Sequence, residues 1–97
     1  MDFEWDEAKR RSVLAERRVD ILYAALIFEG PVLSRDDDRH NYGEPRRISV
    51  GLVDGECFVV VHTERRGRTR LITAWKGSRH DREAYEKGVL GRYPADE

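Results

Sequence analysis

Ninety-seven residues, 38% charged and 39% hydrophobic, suit one domain over residues 1–97 with a modest core and no room for a large enclosed cofactor site. The single Cys57 excludes an intrachain disulfide, no apolar run approaches the roughly 18 residues of a membrane span, and the N-terminus lacks the basic start and apolar core of a signal peptide. A cytosolic protein with no membrane partner is expected. The net charge of −1 conceals a segregation: residues 46–82 carry nine bases against four acids, and residues 20–45 carry two bases against six acids.

In chain order, Phe3-Glu4-Trp5 alternates aromatic and polar and can form a short strand. Asp6 stands where an N-cap would, and a thinly apolar helix runs from Glu7 to about Arg17, showing Lys9, Arg10 and Arg17 to water or a ligand. Asp20 reads as a second N-cap, with Val19 and Ala24 as a hydrophobic staple. The apolar helix Ile21–Glu29 is the main helix against a sheet and ends at Gly30-Pro31. Residues 32–45 read as a polar loop. Three strands follow: Arg46–Val53, the nearly all-apolar Glu56–Glu64, and Arg68–Trp75, joined by turns at Asp54-Gly55 and Arg66-Gly67. Ser78-Arg79-His80-Asp81 resembles a capping box before a short helix through Ala84, Tyr85 and Val89, and the tail Tyr93–Glu97 should fray. The order β-α-α-β-β-β-α implies an α+β fold: an antiparallel sheet packed by two N-terminal helices and a C-terminal helix.

The densest chemical signal is His62-Thr63-Glu64-Arg65-Arg66-Gly67-Arg68-Thr69-Arg70. Fifteen of the 18 positive residues are arginine, whose planar fork grips phosphate in bidentate fashion. A two-residue turn at Arg66-Gly67 sets Arg65 opposite Arg68 and Thr63 opposite Arg70. Thr63, Arg65, Arg68 and Arg70 then share one face, and His62, Glu64 and Thr69 the other. A bulge at Gly67 would slip that register. Either arrangement crowds guanidiniums at one sheet end, which an anion would relieve, or else the turn is simply exposed and its arginines pair with Glu64 and Glu44. Trp75 can stack on a base or belong to the core. Lys9, Arg46 and Lys76 are further candidates for phosphate contact, with Arg66 and Arg68 in the turn. His62, carried beside the arginines, is the histidine suited to proton transfer. Asp36-Asp37-Asp38 lacks calcium-loop spacing, and no zinc spacing or glycine-rich phosphate loop occurs, so neither metal nor cofactor is expected.

Phe3-Glu4-Trp5-Asp6 with Lys9, Tyr42-Gly43-Glu44 with Arg46, and Thr63-Glu64-Arg65-Arg66-Gly67 with Arg70-Leu71-Ile72-Thr73-Ala74 form an ordered set over residues 3–85. This set resembles the BrnT toxin family. The resemblance implies a RelE-like fold and a metal-independent ribonuclease that halts translation. It also implies neutralisation by a BrnA-like ribbon-helix-helix antitoxin, with operator DNA met only through that partner. Three positions depart from the family pattern: Glu16-Arg17-Arg18 stands for a usual Lys-His-Gly, Val13 for a frequent Asn, and Trp75 for a frequent Arg.

Three functions compete. In an endoribonuclease, Arg65 and Arg70, helped by Arg46, would stabilise the dianionic phosphorane, while Glu64, His62 or Lys9 moves protons. A non-catalytic module would touch RNA or the ribosome with the same basic face. A protein-interaction domain would offer its arginines to an acidic partner.

Overall fold

The computed structural model describes residues 1–91; the tail Tyr93–Glu97 lies outside the described residues. Strand β1 (Phe3–Trp5) leads into helix α1 (Glu7–Arg17). The Asp6 carboxylate accepts the Ala8 amide at 2.9 Å, and Arg18 closes the helix in the left-handed conformation, φ 58°. Helix α2 starts on Asp20, whose side chain accepts the Leu22 amide at 2.9 Å. Arg10 grips the same carboxylate with two hydrogen bonds of 2.8 Å, clamping α1 to α2. These bonds hold the Asp20 carboxyl below its usual pKa. Val19 and Ala24 are both buried in one cluster, as the staple requires.

Helix α2 is one α turn, Ile21–Ala24, continued by 3₁₀ turns over Ala25–Glu29, where the sequence suggests one continuous α-helix. Tight packing accompanies the change. A Cβ on Gly51 would stand 2.7 Å from the Ile27 Cβ, so a larger residue at 51 would push the helix off the sheet.

The sheet has five strands in the order β1-β5-β4-β3-β2: β2 Leu33–Asp36, β3 Arg47–Val53, β4 Glu56–Arg65 and β5 Arg68–Lys76, followed by α3 (Arg79–Tyr85), which continues through Glu86–Leu90. Two features correct the sequence reading. The sheet is mixed, because β1 pairs in parallel with β5 (Phe3 opposite Thr69, Trp5 opposite Leu71). The supposed loop also contributes β2, a fourth strand of the antiparallel part, which pairs with β3 from Leu33–Val50 to Asp36–Arg47. As a short edge strand with one apolar residue in four, β2 lacks the apolar run that marks central strands. Its Ser34 hydroxyl meets the Ser49 hydroxyl of β3 at 2.6 Å.

Both predicted hairpin turns form. Asp54-Gly55 and Arg66-Gly67 each hold two consecutive positive φ values (50° and 80°; 56° and 78°), the type I′ geometry that matches strand twist. Each sheet face carries a core. Val13, Val19 and Ile21 of the N-terminal helical region bury against Phe58, Val60, Leu71 and Ala74. On the other face Tyr85 and Val89 pack on Ile48, Val50, Val59 and Val61. Cys57 belongs to this second core, where burial raises its thiol pKa. Among the described residues no helix is long and apolar enough to cross a membrane.

Candidate nucleic-acid interface

The β4–β5 hairpin has the two-residue-turn register. Thr63 opposes Arg70, Glu64 opposes Thr69 and Arg65 opposes Arg68. Thr63, Arg65, Arg68 and Arg70 therefore share one face, and His62, Glu64 and Thr69 the other. The irregularity lies further along. Val61 pairs with Thr73 while His62 pairs with Leu71, leaving Ile72 as an extra residue in β5. The bulge changes what the strand presents. Arg70 and Trp75 are an odd number of residues apart and would point oppositely in a regular strand. Their partners Thr63 and Val59 lie four residues apart on β4, so Arg70 and Trp75 share a face.

Residues 37–46 bring further groups to this face. The Thr63 hydroxyl donates to the Pro45 carbonyl, and the Asp37 amide donates to the Arg46 carbonyl at 2.8 Å. Glu44 accepts from Arg65 Nη2 at 3.0 Å and lies 3.7 Å from Arg46 Nε. The Arg46 guanidinium sits 3.9 Å from the centre of the Tyr42 ring, within range of a cation–π attraction. Its Nε is buried without a hydrogen-bond partner.

These groups converge on an open cleft of about 290 Å³ lined by Asp6, Lys9, Glu44, Arg46, Arg70 and the Leu71–Ile72 edge of β5. Asp6 is committed to capping α1. Lys9 and Arg70 make no ion pair with an acid among the described residues, whereas Arg46 and Arg65 share Glu44. The cleft thus combines three cations with two carboxylates, Asp6 held by the α1 amides and Glu44 held by arginines, leaving a net positive charge that attracts an anion. Arg65 joins it as a neighbour through Glu44. Arg66 and Arg68 are exposed at the hairpin tip.

Two expected proton carriers are not brought to this cleft. His62 lies on the α2 side, 7% exposed. Its Nε2 is 2.7 Å from the Ser49 hydroxyl, its ring packs edge-on against Phe28 at 5.0 Å, and burial lowers its pKa. Glu64, on the same face, accepts from the Thr69 hydroxyl at 2.8 Å. The alternation of β4 already separates both from Arg65 and Arg70. Lys76, at the far end of β5, pairs with Glu56 at 2.9 Å. Trp75 is half-buried, with the guanidiniums of Arg17 and Arg39 at 5.5 and 5.7 Å from its ring.

In the sequence Glu44 stands out only as a carboxylate near the arginines and as part of the Tyr42-Gly43-Glu44 segment, and Arg39 carries no signal of its own. Tyr42, Glu44 and Arg46 alternate along the chain, but only the crossing of residues 37–46 over the sheet sets Glu44 between two arginines. Residues 5–81 match the family model described as ribonuclease toxin, BrnT, of type II toxin-antitoxin system. No curated protein matches the chain.

Proposed function

The chain belongs to the BrnT family of ribonuclease toxins of type II toxin-antitoxin systems, and from that premise we propose that the Lys9–Glu44–Arg46–Arg70 cleft cuts RNA without a metal ion, within a single domain of RelE-like fold. The observation that carries this reading is the convergence on one open cleft of three cations with Glu44, the one of its two carboxylates not engaged in capping α1. Cleavage without metal needs a base for the ribose 2′-hydroxyl, positive donors for the phosphorane, and an acid for the departing 5′-oxygen. Glu44, oriented by Arg65 and Arg46, takes the 2′-hydroxyl proton. The 2′-oxygen then attacks phosphorus. Arg70 and Arg46 hold the phosphorane oxygens, where preorganised donors count most because negative charge is growing there. The bond to the 5′-oxygen breaks as Lys9 supplies a proton, leaving a 2′,3′-cyclic phosphate and a 5′-hydroxyl. Lys9 is exposed at the rim of the cleft, within reach of a bound strand.

In the cell this activity stops translation, on free or ribosome-bound RNA. The antitoxin, of ribbon-helix-helix type, restrains it by covering the arginine face with carboxylates and carries the pair to operator DNA. The experiment that tests the core of this reading is cleavage of RNA by the purified chain in excess EDTA. Wild type should cut, and Arg70→Ala and Lys9→Ala should cut far more slowly. RNA that is bound but never cut would make the cleft a non-catalytic module.

A further inference from the structure

Beyond the cleft, the same sheet face holds a second, smaller cavity of about 140 Å³ beneath α3. Ile48, Val50 and Val59 form an apolar part of its lining, Trp75 an aromatic one, and its polar groups are Arg35, His80 and Asp81, the last engaged in the capping box of α3. The surroundings of the Trp75 ring are unusual in charge. Two guanidiniums stand within 6 Å of its centre and repel each other. Arg39 is neutralised by the buried Asp37 carboxylate, at 2.7 and 2.8 Å. Arg17 is not: its Nη1 donates to the Thr73 hydroxyl at 3.0 Å and the Ala74 carbonyl at 3.2 Å, both uncharged. Among the described residues it makes no ion pair with an acid, so a positioned positive charge is left beside the aromatic ring that forms one wall of the hollow.

An apolar hollow with an aromatic wall suits a flat ring, and an uncompensated guanidinium beside it suits a phosphate. We propose that this cavity takes an unpaired RNA base against Trp75, with Arg17 meeting the phosphate of that nucleotide. The inference rests on the ribonuclease reading and assigns it a second subsite. Continuity of charge supports it. Helix α1 packs along β5, with Lys9 at the cleft and Arg17 eight residues later, about 12 Å along the axis. Cations therefore flank a path from the cleavage cleft to Trp75, and the β5 bulge sets Arg70 and Trp75 on one face. A strand held at both ends is positioned for cutting, with stacking as a sequence-tolerant grip.

The chain has two tryptophans, so Trp5→Phe leaves Trp75 as the only indole reporter. Titrating that variant with uncleavable 2′-O-methyl RNA should quench Trp75 fluorescence as binding, followed independently by anisotropy, saturates. Trp75→Ala should weaken binding about tenfold or more, and Trp75→Phe should restore most of it. Arg17→Ala should reduce the slope of log affinity against log salt by about one. Oligomers that bind without quenching Trp75, and bind Trp75→Ala as tightly as wild type, would overturn the subsite and leave the ribonuclease reading standing. Wild type that binds no RNA would overturn both. Quenching by polyglutamate but not by RNA would assign the site to an acidic protein segment and overturn the proposal.

Discussion

Replacing Glu44 with Gln separates a catalytic carboxylate from a structural one. Gln keeps the shape and an acceptor oxygen for Arg65, so the loss is one negative charge between two arginines. Glu44 and Arg46 are 29% and 22% exposed at the side chain, and Arg65 is 46% exposed. Ion pairs this close to solvent contribute about 0–1 kcal/mol, so the melting temperature should fall by no more than about 4–8 °C. The catalytic consequence is much larger, because losing a positioned general base costs roughly 10²–10⁴ in rate. The assay is single-turnover RNA cleavage in EDTA across acid to neutral pH, paired with thermal melting. The account expects a well-folded Glu44→Gln protein that binds RNA, cuts it at least about a hundredfold more slowly, and loses the rise of rate with pH that a carboxylate base imposes. A variant that melts like wild type and cuts at the wild-type rate would refute the assignment of Glu44 as base.

Arg70→Ala should lower the cleavage rate by roughly 10²–10³ with little change in melting temperature, whereas Arg79→Ala and Arg82→Ala, on α3 and paired with Glu83 and Glu86, should cut normally; equal losses in all three would show a generic charged surface. Arg65→Glu places a second carboxylate beside Glu44 and should weaken both cleavage and the antitoxin complex, whose association should also slow as salt rises; unchanged antitoxin kinetics would place inhibition elsewhere. Burial lowers the pKa of His62 below its ordinary 6.5, so the unfolded chain protonates first as pH falls. The contribution of the neutral ring is full above about pH 6.5 and is lost below it by up to about 1.4 kcal/mol per pH unit. Denaturant melts should show that slope, and His62→Gln should flatten it.

The parts of this molecule visible in the sequence are those set by neighbours along the chain. Asp6 and Asp20 cap helices because a carboxylate there meets free amides, and Asp54-Gly55 and Arg66-Gly67 close type I′ turns because Gly accepts positive φ. From the second turn the opposition of Arg65 with Arg68, and of Thr63 with Arg70, follows directly. The remainder depends on contacts between distant segments. Strand β2 has a single apolar residue, Leu33, and exists because the edge of β3 offers unpaired backbone groups. His62 sits in a strand buried on both faces, where hydrophobicity gives no sign of which face meets the helices. Trp75 joins the arginine face only through an extra residue at Ile72, which no local turn signal marks. Glu44 reaches the cleft because residues 37–46 fold across the sheet, with Thr63 bonded to Pro45. Arg65 and Arg70 therefore reach this face through a turn the sequence marks, and Glu44 through a segment whose local sequence has no strong structural preference.

The most direct test of the central claim is the chemistry of the cut ends. RNA cleaved by the purified chain in EDTA is resolved by mass spectrometry. Attack by the ribose 2′-hydroxyl, driven by Glu44, Arg46, Arg70 and Lys9, predicts 2′,3′-cyclic phosphate on one fragment and 5′-hydroxyl on the other. Fragments ending in 3′-hydroxyl and 5′-phosphate, or products formed only when magnesium is restored, would contradict it.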